Sequence, residues 1–196
     1  FLNMPFWSTN FGEDATLKDP KRNFRFLVQF NGIEADGGSL WYAKTSGKPS
    51  FAITSAEHKY LNHTFYYPGN VSWQELTMTL VDPVNPDVTA TLADILVQSG
   101  YSPPTNSTSL GTISKAKAAS ALGTVVITQL DADGNPLETW TLWNSYIQDM
   151  KFSDLSYGDE NLTETTLTLK YDWARVETAN PSSAVNGSQG TEFFSG

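Results

Sequence analysis

The chain has 196 residues, enough for one large domain or two small ones, and a single domain of that length buries enough surface to hold without staples. It contains no cysteine, which excludes disulfides, thiolate metal sites and cysteine nucleophiles and fits folding in a reducing cytoplasm. A formal charge of −9 argues against a high-affinity nucleic-acid binder, whose affinity comes from neutralising phosphates, yet suits a surface that nucleic acid must pass without sticking.

Residues 1–21 mix aromatics, Gly, Asp and Pro without a sustained period and read as an irregular N-terminal arm. They lack the basic and apolar regions of a signal peptide, and no apolar run anywhere is long enough to span a bilayer. The main domain, residues 22–177, opens with a strand at 24–30, "FRFLVQF", with Phe24, Phe26, Val28 and Phe30 on one face. "NGIEADGGS" is turn material, and "SLWYAKTS" (39–46) is expected to pair with that first strand. A long hairpin excursion occupies about 47–72. It contains "HTFYYPGNVSW", in which Pro68-Gly69 is expected to make the reversal.

Residues 71–81 alternate cleanly. Gln74, Leu76, Met78 and Leu80 lie on one side, and Trp73, Glu75, Thr77, Thr79 and Val81 on the other. One helix is expected at about 86–98, with Asn85 as cap, Pro86 in the first turn, Gly100 at the end, and Val88, Leu92, Ile95 and Leu96 as its buried stripe. The Ser/Thr/Pro-rich segment 101–122, including "SKAKAAS", reads as a mobile surface loop. Residues 123–147 read as a hairpin about an Asp-Gly-Asn turn. One more strand follows, with Leu167, Leu169, Tyr171 and Trp173 on one face and Glu164, Thr166, Thr168 and Lys170 on the other. Residues 178–196 are rich in Asn, Ser and Gly and read as a flexible tail. Six or more strands and one α-helix, without repeats, predict a mainly β fold: two packed antiparallel sheets in a sandwich or barrel.

Few residues are candidates for chemistry. His58 and His63 are the only histidines, and in an extended strand their odd spacing sends them to opposite faces, which disfavours a metal site. Asp131-Ala132-Asp133-Gly134-Asn135 resembles the start of a calcium loop, but its glycine comes at position 4 and its twelfth position is Leu142. Asp159 and Glu160 are acidic residues in a turn. The chain has no G-x-S-x-G elbow and no phosphate-binding loop, and "GIEADGG" lacks the strand-to-helix context of a dinucleotide site. Five N-x-[ST] triplets, at Asn62, Asn70, Asn106, Asn161 and Asn186, read as composition. No enzyme, metal or cofactor is indicated. More informative are the Thr-rich polar faces Glu75/Thr77/Thr79 and Glu164/Thr166/Thr168, which face either bulk water or a wet channel closed by neighbouring copies.

In "FYYPGNVSWQELTMTLVDP" (65–83), "LWNSYIQDMKFSDLSYGDENLTETTLTLKYDWARVE" (142–177) and the opening "MPFWSTNFGEDATLKDPKRNFRFLVQFNGI" (4–33), the chain resembles the T4-like myovirus tail tube proteins. The resemblance implies a β-sandwich with a helix at its side. Six copies form a ring, each giving four strands to a continuous inner β-barrel, and rings stack into a tube inside a contractile sheath. A barrel of about 24 strands tilted by about 45° has a backbone diameter near ~50 Å, which admits one hydrated duplex.

By the same resemblance the partners are further copies of the chain, the sheath protein, the baseplate or tube initiator and the tail terminator. Phage DNA passes through without specific binding, no membrane is involved, and the place is the virion tail after assembly in the host cytoplasm. Tyr60, Phe65, Tyr66, Tyr67, Pro68, Gly69 and Trp73 are implied inter-subunit residues on the projecting hairpin. Glu75, Thr77, Thr79, Glu164, Thr166 and Thr168 are implied to face an acidic lumen. A tube initiator, a secretion-system tube protein and a monomeric β-sandwich binding module are the alternatives.

Overall fold

A computed structural model of the chain describes residues 21–33, 43–85, 87–105, 108, 110–158, 160–180 and 190–194. The elements are β1 (Phe26–Phe30), β2 (Ala43–Ser46), β3 (Phe51–Tyr60), β4 (His63–Trp73), β5 (Leu76–Val81), α1 (Val88–Gln98), α2 (Lys115–Leu122), β6 (Val125–Leu130), β7 (Pro136–Trp143), β8 (Tyr146–Phe152), β9 (Glu164–Lys170), β10 (Trp173–Thr178) and β11 (Glu192–Phe193). All strand pairs are antiparallel. They form a five-stranded sheet in the order β1-β6-β7-β10-β11, a four-stranded sheet in the order β2-β5-β9-β8, and the separate two-stranded β3-β4 ribbon.

Period-two alternation builds the core. Val28 and Phe30 of β1, Val125 and Ile127 of β6 and Leu142 of β7 meet Leu76, Met78 and Leu80 of β5 and Leu167 and Leu169 of β9. The expected inward faces of β5 and β9 are therefore the observed ones, except that Gln74 lies outside β5 and is exposed. Val88, Leu92 and Ile95 of α1 and Leu122 of α2 join the same core, while Leu96 stays exposed.

Several boundaries differ from the sequence reading. β2 pairs with β5 in the opposite sheet, not with β1. The expected strand after Ser153 is two strands: β9 ends at Lys170, the chain crosses at Tyr171–Asp172, and β10 enters the five-stranded sheet, leaving Trp173 exposed. The break between β7 and β8 is a similar crossing, where Asn144 takes a positive φ of 52°. Asn is among the few residues that adopt this conformation readily.

The supposed loop 101–122 holds a second helix, α2, capped by Ser114, whose hydroxyl accepts from Lys117 N. It ends at Gly123 (φ 69°), where a Cβ would meet Gly32 N at 2.3 Å. Gly32 N donates to Leu122 O at 3.1 Å, so two glycines bring the end of α2 onto the end of β1. The Ala-rich, Ser-flanked "SKAKAAS" has good intrinsic helix propensity, which the surrounding Ser/Thr/Pro content obscures.

The cap of α1 is Asp87, not Asn85, and Pro86 lies outside the described residues. Its carboxylate accepts from Ala90 N at 2.9 Å, and Asp82 at the end of β5 accepts from Val88 N at 3.1 Å and from the Thr89 hydroxyl at 2.8 Å. Gly100 ends the helix as expected, with φ 102°. Asp87→Ala should lower unfolding stability by about 1 kcal/mol in urea titrations. A loss below about 0.3 kcal/mol would mean that Asp82 alone satisfies the first turn.

Candidate assembly surfaces

The four-stranded sheet turns one polar face outward. Register places Thr77 opposite Thr168, Thr79 opposite Thr166 and Val81 opposite Glu164, with Thr45 of β2 beside Thr79, and Asp149 and Lys151 of β8 beside Thr168 and Thr166. The six residues expected on a polar face, Glu75, Thr77, Thr79, Glu164, Thr166 and Thr168, are thus brought together on one surface.

That surface is not acidic. Its carboxylates are Glu75, Asp149 and Glu164, and its lysines are Lys44, Lys151 and Lys170. Lys170 lies 3.3 Å from Glu75, and Lys44 pairs with Glu164. Hydrogen bonds from Gln148 and Lys170 hold the Glu75 carboxyl below its usual range. Among the described residues of this face three carboxylates stand against three lysines, so the −9 of the chain is carried by other residues.

The second surface is the β3–β4 ribbon. Every residue of β3 is exposed, and of β4 only Thr64 and Trp73 are partly covered. Tyr60, Phe65, Tyr66 and Tyr67 show 45–65% of their surface to solvent. Reversal occurs at Leu61-Asn62, where Leu61 has φ 51°, so Pro68-Gly69 is not the turn. Instead Pro68-Gly69-Asn70 sits inside β4 as a bulge: Ile53 faces Val71, but Ser55 faces Pro68. The Thr54 hydroxyl accepts from Asn70 N at 3.0 Å and closes the bulge.

A proline within a strand fits such a position because it has no N–H to give to the ladder. The reversal between the two histidines also corrects their placement. His58 pairs with Phe65 and His63 with Tyr60, so both fall on one face of the ribbon. Among the described residues, however, no group of three or more His, Asp or Glu side chains is gathered as a metal site. The Asp131 turn is likewise closed on itself, its carboxylate accepting from Asp133 N and Asn135 N, both at 2.8 Å. Of Asp159 and Glu160, the first lies outside the described residues and the second is exposed.

The root of the ribbon is anchored in its own chain. Trp73 packs edge-on against Phe51 (centroids 5.4 Å apart) and Phe194 (5.5 Å), and lies 6.0 Å from Tyr171. Beside the segment that leads into β3 lies a buried carboxylate that the sequence reading did not single out. Glu138 of β7 receives Lys21, Lys48 Nζ at 2.8 Å and Trp140 Nε1 at 2.5 Å, while Lys48 also donates to Gln129 at 2.8 Å. Burial alone would raise its pKa, but the three donors outweigh it and hold the carboxyl down to about 2. The one available signal was period-two register: Glu138 falls on the inward side of β7 with Trp140 and Leu142.

No family model matches the sequence, and no curated protein matches it either. Solved structures do share the fold. A chain of the anti-feeding prophage baseplate, solved with six-fold symmetrisation, aligns with a TM-score of 0.61 and 19% identity over 82% of this chain and 97% of its own. The anti-feeding prophage tube terminating cap gives 0.61 and 14% over 85% and 97%. The sheath/tube terminator of an extracellular contractile injection system, PVC, gives 0.59 and 13% over 83% and 100%. The fold is therefore shared with chains in the anti-feeding prophage baseplate and tube terminating cap and in the sheath/tube terminator of a contractile injection system.

Proposed function

We propose that the chain is a non-enzymatic structural subunit of a contractile tail tube, in which six copies close a ring and rings stack into a channel. The observation that carries this reading is one fold presenting both a continuous polar face on a four-stranded sheet and an uncovered aromatic ribbon beside it. A solitary two-stranded ribbon of this length is at best marginally stable in water, so it calls for a covering surface. Its exposed Tyr and Phe side chains are of the kind enriched in interface cores. The shared fold with tube-associated parts of injection systems supports the same role.

In this reading the four-stranded faces line the channel, and the system is a phage tail whose tube carries the genome, with sheath, baseplate and terminator as partners. The lining is hydroxyl-rich and charge-balanced, so duplex DNA slides because Lys44 and Lys170 are already occupied by carboxylates. Native mass spectrometry of the purified protein at rising concentration tests the assembly. Multiples of six are expected. A monomer at every concentration that captures a carbohydrate or protein ligand would support a binding module instead. Assembled tubes should also release added duplex DNA at low salt, and salt-sensitive retention would contradict the proposed lining.

A further inference from the structure

The ribbon leaves the body on two short connections, residues 47–50 from β2 into β3 and residues 74–75 from β4 into β5. Hinges are made of a few residues at the ends of elements, so these two legs by themselves leave the ribbon's direction open. Trp73 meets the body at Tyr171. A second set of ring contacts comes from the far end of the sequence. Within the expected tail 178–196, residues 190–194 return to the body, and β11 lies along the outer edge of β10, with Val176 opposite Phe193 and Glu177 opposite Glu192. Thr178 N donates to Thr191 O at 2.8 Å, and the Glu192 carboxylate lies 2.8 Å from the Arg175 guanidinium. Phe194 then reaches the root of the ribbon. Its ring stands edge-on to Trp73, with centroids 5.5 Å apart, and to Phe51 at 6.0 Å. The five-stranded sheet is thereby tied to a ribbon that grows out of β2 and β5 in the four-stranded sheet.

We propose that residues 190–194 are a strap that fixes the direction in which the β3–β4 ribbon leaves the body, with Phe194 as the positioning residue. Phe194 holds a φ of 63°. For a bulky side chain that backbone region is an outlier, and it persists only where the surroundings over-determine it. The surroundings here act from two sides: the β11 ladder and the Arg175–Glu192 pair hold the segment to β10, and Phe51 and Trp73 hold the ring. Phe51 and Trp73 stand opposite each other on the two legs, 5.4 Å apart, so one ring in contact with both restrains the two legs together. Without it the root keeps its Trp73–Tyr171 contact on one leg alone. The strap is a property of the single chain. Its consequence for assembly rests on the tube reading: a ribbon already held in one direction loses less conformational entropy when a surface covers it.

The chain has no cysteine, so nitroxide labels can be placed at two chosen sites only. Lys59→Cys near the ribbon tip and Ala116→Cys on α2 are both exposed. Pulsed electron paramagnetic resonance then reads the distance between tip and body in the dilute monomer. The doubly labelled chain should give one narrow distance distribution. Adding Phe194→Ala should widen it about twofold or more while the core stays folded in a thermal melt, and Phe194→Tyr, which keeps the ring, should leave it narrow. An unchanged width in Phe194→Ala would overturn the strap, as would equal widening in Phe194→Tyr, which would mean that the ring contacts are not what holds the root. Both readings come from the monomer, so a parent that forms no rings would contradict the tube reading and still leave the strap decided by these widths.

Discussion

Tyr66→Ala combined with Tyr67→Ala should give a folded monomer that no longer assembles. Both side chains are more than half exposed and belong to a ribbon outside the core cluster, so truncating them costs the monomer little, within about 0.5 kcal/mol. Register places the two side chains on opposite faces of the ribbon, so the double variant removes an exposed aromatic from each face. A buried tyrosine at an interface centre is commonly worth about 2 kcal/mol, or roughly 30-fold in affinity. In a closed ring that loss recurs at every contact. Assembly is checked by sedimentation of the variant beside the parent at equal concentration, with the thermal melt as control. Normal tube length and yield from the double variant would sink the role given to these residues.

Glu138→Gln should remove a large pH-dependent share of the stability. The carboxyl is 11% exposed and sits between Lys21, Lys48 and Trp140, with a folded pKa of about 2 against 4.5 for the free group. A depressed folded pKa contributes stability that is fully present above about 4.5 and is lost as pH falls toward 2. The shift corresponds to about 3 kcal/mol at neutral pH. The parent should therefore weaken between pH 4.5 and 2, and the variant should be less stable at pH 7 by about 2–3 kcal/mol yet nearly flat across that window. Urea titrations at pH 7, 4 and 2.5 measure both curves. Parallel curves would mean that the Lys–Glu–Trp cluster adds nothing to folding. The cluster ties Lys21, at the end of the N-terminal arm, and Lys48, just ahead of the ribbon, to β7. The variant should therefore also loosen the ribbon's attachment.

Much of the fold was legible because its strands bury one face. Leu76, Met78 and Leu80, and Leu167 and Leu169, show their inward register through simple alternation, and the Thr faces opposite follow from it. Where local chemistry and tertiary pairing part, the sequence misleads. Pro68-Gly69 has the composition of a turn, yet the ribbon reverses at Leu61-Asn62, residues without a strong turn signature. The length of β4 is set by pairing along β3, which no local rule sees. The strand crossings at Asn144 and Tyr171–Asp172 interrupt continuous apolar alternation without any proline or glycine, so each pair of strands reads as one. The charge balance of the Thr-rich face was hidden for a different reason. Net charge is a sum over the chain, while Lys44 meets Glu164 and Lys170 meets Glu75 only through the pairing of distant strands. Glu138 was hidden in the same way, since two of its three partners are 117 and 90 residues away.

The central claim is that copies of this chain build a hollow tube. Negative-stain electron microscopy of the purified protein, concentrated at low and at high salt, tests it most directly. Six-fold rings with a stain-filled centre, stacked end to end, are the expected result. Featureless monomers under all conditions, persisting after addition of baseplates or sheath protein, would contradict it.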